Sequence, residues 1–412
     1  MTAQKISVIL SQQDTGEIMT KIKASILSIA LLIIMAGAAA SPVLADIARH
    51  FPEAHPQLVR MVITLPALMI VPFSFLAGAL AKRYRKKHIV LLGLAGYLIG
   101  GLGGGLADSI ANILLFRALL GAGVGILSPL TNGLIADYFF DAERTKMMGY
   151  SAAANNLGGG LATIMAGLLA TFHWRYAFSI YGVAFVTLLL VLFYLPKESG
   201  RDISGLSGHE KAEAPESGRG LIKWSLFTFL MIVIFFSIPT HLDFFIFAKN
   251  LGTSATTGWL MGLLTGISFA TGIVFQRLAA FLRDKTALVA FIFLLLGFSV
   301  LSFFSSLLLI GTAIVFAGFA MGILIPLIMD SVTKEVQAKD TIFALAFINL
   351  SLYLGQFISP LVPGLLEHIL NVSLIRFPFY VSALMTLFSI IGMLLAKKSA
   401  FAPSSYLYEE EQ

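Results

Sequence analysis

One arginine, Arg117, lies well inside an apolar stretch of the sequence, where a charged side chain is costly. It falls within a predicted helix over residues 111–135, roughly 10 Å from the helix centre at a rise of about 1.5 Å per residue. A charge at the centre of a bilayer costs about 2.5–3.5 kcal/mol on insertion scales, so a residue retained there usually has a function. We favour a functional role for Arg117 over the alternative, in which its side chain extends to the outer surface.

Two aspartates occupy equivalent positions near the outer ends of two predicted helices. Asp46 follows Pro42 and Asp243 follows Pro239 by four residues, a spacing that puts proline and acid on one helix face. The proline can leave a backbone carbonyl free to line a cavity. His241 is close to Asp243, and histidine titrates near neutral pH, so these three polar residues are candidates for proton binding. The alternative for Asp46 is a helix-end residue in interfacial water.

Uncharged polar residues mark the middle of two further predicted helices. Asn155 and Asn156 fall in one helix, and Tyr353 and Gln356 fall in the corresponding part of another. Buried amides need hydrogen-bond partners, which in a central cavity can be substrate or water. Hydrogen bonding between helices is the alternative explanation.

The composition places most of the chain in a membrane. Of its 412 residues, 58% are hydrophobic and 12% are charged, whereas a soluble domain carries about 25% charged residues. Cysteine is absent, which excludes disulfides and thiolate sites. Glycine clusters lie inside apolar runs rather than between a strand and a soluble helix, and no zinc or nucleophile motif is found. We therefore expect no enzyme activity, no cofactor, no metal and no nucleic-acid partner.

The two halves of the sequence are related by a displacement of 197 residues. Segments 42–46, 125–130 and 167–169 return as 239–243, 322–327 and 364–366. Apolar runs of about 20 residues predict transmembrane helices, and we count about twelve, six in each half. Their predicted bounds are 25–48, 58–80, 88–107, 111–135, 148–170, 176–195, 223–247, 256–280, 286–306, 309–331, 341–363 and 376–396.

Lysine and arginine indicate the orientation. With both termini in the cytoplasm, 22 of the 28 basic residues fall in cytoplasmic segments, 5 fall outside and Arg117 lies within a helix, as the positive-inside rule requires. The predicted fold is an all-α integral membrane protein with two six-helix bundles. Its predicted parts are an N-tail 1–24, a bundle 25–195, a polar linker 196–222, a bundle 223–396 and a C-tail 397–412.

Four local motifs resemble the major facilitator superfamily, and the resemblance extends over nearly the whole chain. The loop Gly78–Lys87 is similar to its signature loop, and Arg117–Gly123 is similar to its fourth-helix motif. Segments Glu143–Gly149 and Trp174–Phe178 also fit. The resemblance implies two bundles around a central cavity that opens alternately to each side, and it links Arg117 to proton coupling.

The resemblance also implies a cytoplasmic gate around the signature loop. Lys82 and Arg85 depart from the family pattern, which has an acid and a glycine there, so we expect Asp137 or Asp141 to pair with Arg83 instead. Asn155-Asn156 stand where antiporters of the family have Gly-Pro, which weakens the case for exchange of drug against proton. The residues expected at this gate are Gly78, Arg83, Arg85, Asp137, Asp141 and Arg144.

The leading hypothesis is a secondary transporter of a bacterial-type cell membrane, monomeric, that exports an amphipathic or drug-like molecule against protons. Protonation of Asp243 or Asp46 would disturb an ion pair to Arg117 and so shift the conformation. The first alternative is a proton-coupled importer or exchanger of a small polar metabolite, with Arg117 holding an anionic group. The second is a receptor or lipid-handling protein that transports no solute.

Overall fold

The computed structural model describes the backbone of residues 3–196, 218–335 and 341–395, and the side chains of 19–196, 220–334 and 344–395. We call the first range the N half and the other two the C half. The predicted C-tail 397–412 and most of the linker lie outside these residues. In the described part the chain is helical throughout, with short irregular connections.

The N half contains seven α-helices. They are α1 Ala3–Ala38, α2 Leu44–His50, α3 Pro56–Leu80, α4 Lys86–Leu106, α5 Ile110–Tyr138, α6 Asp141–Ala170 and α7 Val183–Tyr194, with 3₁₀ turns at Ser41–Val43 and Trp174–Gly182. The helix α1 begins well before the predicted bound at residue 25, so much of the expected N-tail is helical.

The C half contains eight α-helices in the described ranges. They are α8 Gly218–Phe235, α9 Ser237–Ala248, α10 Ser254–Leu282, α11 Thr286–Phe303, α12 Leu307–Glu335, α13 Thr341–Ile358, α14 Leu361–Leu370 and α15 Phe377–Leu395. The last residues of the predicted linker, 218–222, belong to α8, and α14 extends the predicted helix 341–363 to Leu370.

Ten segments of the described chain are long and apolar enough to cross a membrane. One of them, Ser254–Phe303, contains both α10 and α11. The helix α6 is not among them, because its polar and small residues lower its hydropathy. Counting α10 and α11 separately and adding α6 gives the predicted number of twelve, but the number of crossings stays a prediction.

Helices are broken at equivalent places in the two halves. The chain leaves helical geometry between α1 and α2 next to Pro42, and between α8 and α9 at Phe236, three residues before Pro239. Buried hydrophobic side chains form two clusters, one drawn from residues 22–195 and one from 221–390. Each half therefore packs around its own core, and the two breaks face each other between the cores.

The bundle has two ends that carry different loops. The basic end carries the loop with Lys82, Arg83 and Arg85, and the far end carries the loops 51–55 and 249–253. The helices α6 and α10 pack against each other between the halves, as do α3 and α13.

Candidate functional site

Asp243 joins the two halves at the far end. Its Oδ2 accepts a hydrogen bond of 2.7 Å from the backbone N–H of Ala45, and its Oδ1 accepts one of 2.8 Å from Thr257 Oγ1. Asp243 is 2% exposed. Both donors are neutral, and Asp243 forms no ion pair in the described structure. The carboxyl group is thus buried at an interface that disappears when the halves separate.

The equivalent acid, Asp46, crosses the same interface in the opposite direction. Its carboxylate accepts hydrogen bonds from Ser254 of α10 and from Arg49 on its own helix. Arg49 in turn lies over the ring of Phe247, with its Cζ 3.8 Å from the ring centroid. Asp46 is therefore a partner in the contact between the halves, with its side chain 17% exposed.

A cavity of about 200 Å³ lies beside these two acids. Both halves contribute its lining, which is Ala45, Asp46, Arg49, Ala170, Thr171, Asp243, Ile246, Phe247, Thr253 and Ser254. A hydrogen bond also joins the two helix breaks directly. Ser41 Oγ donates to the backbone carbonyl of Pro239 at 2.7 Å. The prolines and aspartates recognised in the sequence repeat thus meet in one place.

A second polar contact between the halves was missed in the sequence, because Arg60 and Glu367 fell in predicted loops or at their edges. Arg60 Nη1 of α3 is 3.8 Å from Glu367 Oε2 of α14. Nearby, Gln57 Nε2 donates to the carbonyl of Pro360 at 2.8 Å. The signal that could have revealed this contact is the apolar sequence on both sides of Glu367, which forms the helix α14.

His241 forms no hydrogen bond with Asp243. Its Nδ1 is 3.2 Å from the carbonyl of Ser237 and 2.9 Å from Thr240 Oγ1, and its buried Nε2 has no hydrogen-bond partner. The carbonyl can only accept, so Nδ1 carries the hydrogen. Arg60 lies near the same face of α9, with its Cζ 6.0 Å from the ring centroid of Phe244, one turn from His241.

Two of the polar residues predicted for a central cavity, Tyr353 and Gln356, lie on α13, which packs against α3 of the N half. Tyr353 packs against the core of the N half and shares a hydrogen bond with Ser128 of α5. The amide of Gln356 lies against Gly37 of α1. Asn349 was not among the predicted residues. It lies four residues before Tyr353 and seven before Gln356, so it shares their face of α13, and it is exposed.

The two asparagines of α6 differ in their surroundings. Asn156 Nδ2 donates to the carbonyl of Ala152 at 2.9 Å within its own helix. Asn155 Oδ1 is buried without a partner. Asn155 therefore retains an acceptor for a ligand or a water, whereas one donor of Asn156 is already used.

Arg117 does not form the expected ion pair with Asp46 or Asp243. It is fully buried, and its guanidinium donates to the carbonyls of Val62 and Ala36 and to Tyr181 Oη. All three partners belong to the N half. The side chain neither extends to the outer surface nor has a carboxylate within reach.

At the basic end, Asp137 does not pair with Arg83. Lys86 Nζ lies 2.6 Å from Asp137 Oδ2, and the two side chains are 10% and 9% exposed. Lys23 pairs with Glu143. Both pairs lie within the N half.

The other residues expected at the cytoplasmic gate have open surroundings. Asp141 and Arg144 are exposed at the start of α6, and a Cβ atom at Gly78 would meet no atom within 4 Å. The cytoplasmic gate stays a prediction.

Comparison with known proteins identifies the family. The sequence model of the Major Facilitator Superfamily matches residues 26–339 and 225–406. The chain belongs to the major facilitator superfamily. It is therefore a membrane transporter rather than an enzyme, and a multi-pass protein of the cell membrane. No group of three or more His, Cys, Asp or Glu side chains within the described ranges is arranged to hold a metal ion.

Two relatives and one solved structure illustrate the similarity. This facilitator is 24% identical to the multidrug efflux protein YfmO of Bacillus subtilis over 364 residues, which cover 87% of this chain and 88% of YfmO. It is 24% identical to the quinolone resistance protein NorA of Staphylococcus aureus over 359 residues, covering 81% and 85%. A bacterial homologue of the lysosomal transporter Spinster matches with a TM-score of 0.71 and 14% identity, over 92% and 97% of the chains.

Proposed function

We propose that this facilitator exports an amphipathic small molecule in exchange for protons, with Asp243 as the group that carries the proton. Twelve helices would cross the membrane, with the basic end and both termini in the cytoplasm and the far end outside. The observation that supports the proposal is the burial of Asp243 between the halves with two neutral donors and, within the described ranges, no ion pair.

The burial of Asp243 couples its protonation to the far end. Closure moves its carboxyl from water into the interior, and that transfer costs several kcal/mol more for an ionised group than for a neutral one. A bound proton therefore favours the closed far end, and loss of the proton favours opening. An exchanger needs this dependence of closure on protonation, because substrate leaves through the open far end and binding of a proton then permits closure.

The middle of the transporter offers a mixed polar and aromatic site. Tyr353, Gln356 and Asn349 line one face of α13, and Asn155 has an unused buried acceptor. This combination suits an amphipathic molecule with few hydrogen-bonding groups. The names of YfmO and NorA, multidrug efflux and quinolone resistance, support the same substrate class.

The alternative of an importer for an anionic metabolite relied on Arg117 as the anion ligand. That role has no support, because Arg117 already donates to three oxygens and is 0% exposed. Import of a polar metabolite without this contact, and a receptor or lipid-handling role, are outcomes that the experiment below distinguishes.

The test uses inverted vesicles and a pH-sensitive dye with a panel of amphipathic cations and quinolones. We expect added substrate to release protons from acidified vesicles that contain the wild-type protein. Asp243→Asn should retain substrate binding and lose this proton flux. Glu53→Gln, which alters an exposed acid in a far-end loop, is the matched control and should behave like the wild type.

Three results would contradict the proposal. Full gradient-driven transport by Asp243→Asn would exclude Asp243 as the proton carrier. Substrate entry together with protons would indicate import. Movement of lipid but of no solute after reconstitution would favour a lipid-handling protein.

A further inference from the structure

Arg117 donates hydrogen bonds to two backbone carbonyls that have no donor within their own helices, and to one tyrosine hydroxyl. Its Nε donates to the carbonyl of Val62 at 2.6 Å, its Nη2 to the carbonyl of Ala36 at 2.8 Å and its Nη1 to Tyr181 Oη at 2.6 Å. Tyr181 Oη donates to the same carbonyl of Ala36 at 2.9 Å. The arginine therefore connects α1, α3 and the 3₁₀ turn before α7.

Both carbonyls lack a helical donor, one because of a proline within α3 and the other because α1 ends. The carbonyl of Val62 would normally accept from the residue four positions later, which is Pro66, and proline has no N–H. The carbonyl of Ala36 lies in the last turn of α1, which ends at Ala38 before the break at Pro42, and the last four carbonyls of a helix have no helical donor. A buried carbonyl without a donor is destabilising.

The packing of α5 against α3 brings Arg117 to this place. A Cβ atom at Gly121 would lie 2.6 Å from Pro66 Cα, and one at Gly125 would lie 2.6 Å from the carbonyl oxygen of Ile70. Arg117, Gly121 and Gly125 are spaced by four residues and share one helix face. The glycines let the helices approach closely enough for the guanidinium to reach the α3 backbone.

The C half has the same packing without the proline. Gly318 and Gly322, the equivalents of the two glycines, approach α10 as closely, with Cβ positions 2.8 Å and 2.5 Å from the carbonyls of Leu264 and Ser268. Leu264, which takes the place of Pro66 in this contact, has a backbone N–H, and position 314, equivalent to Arg117, is a fully buried isoleucine. The arginine is present in the half in which a proline frees a carbonyl.

The second carbonyl also has an equivalent in the C half. Val233 corresponds to Ala36 in the repeat, and its carbonyl accepts a hydrogen bond of 2.8 Å from Ser359 Oγ. Each half therefore supplies a side-chain donor to the same carbonyl at its helix break. A neutral hydroxyl is sufficient in the C half, so the charge of Arg117 is not what this position needs.

We infer that Arg117 is a positioning residue, which braces the end of α1 and the proline site of α3 by donating to their free carbonyls and neither carries the proton nor binds substrate. Five residues beyond Ala36 lies Ser41, and Ala45 follows. These two make the contacts to Pro239 and Asp243 that close the far end. Arg117 thereby holds the N-half surface of that closure in place, whether or not Asp243 carries the proton.

A double-mutant cycle with Pro66 tests this role. Pro66→Ala supplies an N–H for the carbonyl of Val62, and Tyr181 still donates to that of Ala36. We therefore expect Arg117→Ile to be harmful alone and much less harmful together with Pro66→Ala. Because the chain has no cysteine, Ala170→Cys in the far-end cavity can report opening through its reaction with a membrane-impermeant maleimide.

The expected result is labelling about tenfold faster in Arg117→Ile, equal to roughly 1.4 kcal/mol, and near the parental rate in the double variant. If the single variant fails to fold, the double variant should restore folded protein in detergent. No rescue by either readout would overturn the inference. Arg117→Gln, which keeps donors but not charge, should retain the wild-type ratio of protons to substrate, and a lost proton flux with unchanged labelling would instead indicate coupling.

Discussion

The contact between Asp243 and Ala45 predicts how strongly the far end is held closed. Ala45 is the second residue of α2, so its N–H is one of the first four that have no partner within the helix. Asp243 supplies the acceptor from the other half, and Ala45 is 5% exposed. Asp243→Ala removes this acceptor. The cost of leaving a buried donor unpaired is about 1–3 kcal/mol.

Such a cost changes a conformational equilibrium by a factor of about 5–150, so Asp243→Ala should open the far end by that factor. Asp243→Asn behaves differently, because its Oδ1 can still accept from Ala45 while its Nδ2 donates to Thr257 Oγ1. We expect it to stay closed. Thr257→Val removes a bond within the C half only, so it should change the closure much less than Asp243→Ala does.

The measurement is the rate of maleimide labelling of Ala170→Cys in intact cells, with each variant at matched expression. Equal labelling of Asp243→Ala and the parent would refute the argument that this hydrogen bond closes the far end. Faster labelling of Asp243→Asn than of the parent, to the level of Asp243→Ala, would show that charge rather than hydrogen bonding holds the halves together.

Two further predictions concern packing and charge elsewhere. Asp137→Leu should lower the stability of the purified transporter by about 1–3 kcal/mol, because it leaves Lys86, whose side chain is 10% exposed, without an acceptor or a counter-charge. Adding Lys86→Met should make the change nearly neutral. Thermal unfolding in detergent compares the two variants, and equal losses would contradict the reasoning. Gly167→Ala should impair far-end closure and transport, because its Cβ would lie 2.5 Å from the carbonyl oxygen of Ser254 in the other half. Gly266→Ala is the control, since its Cβ would meet no atom within 4 Å, and it should transport normally.

The sequence could predict the helices and the repeat, because apolar periodicity is a local property. It also placed Pro42 and Asp46 at positions equivalent to Pro239 and Asp243. It could not predict that each acid bonds to the opposite half, because the partners are a backbone amide and Ser254, which carry no recognisable signal. Such a pairing depends on how the two cores pack together.

Charged residues near helix ends were the main source of error. Hydropathy ends the predicted helix 341–363 before Glu367, although that residue belongs to α14. Arg60 lies at the edge of the predicted helix 58–80, next to the loop expected outside. For Arg117 a carboxylate partner was the natural expectation, since opposite charges usually pair. The visible signal was Pro66 in the neighbouring predicted helix, but the register between α3 and α5 was needed to interpret it.

The far end is held by several weak contacts rather than one strong one, which suits a transporter. The hydrogen bonds of Asp243 and Ser41 contribute about 0.5–1.5 kcal/mol each on a net basis, and the partly exposed pair of Arg60 and Glu367 contributes about 0–1 kcal/mol. Their sum is a few kcal/mol, similar to the roughly 5.5 kcal/mol that moves a two-state equilibrium from one side to the other. If Asp243 carries the proton as proposed, one proton and one substrate are therefore enough to reverse it. A brace such as Arg117 is needed for the same reason, because a loosely held α2 would weaken several of these contacts at once.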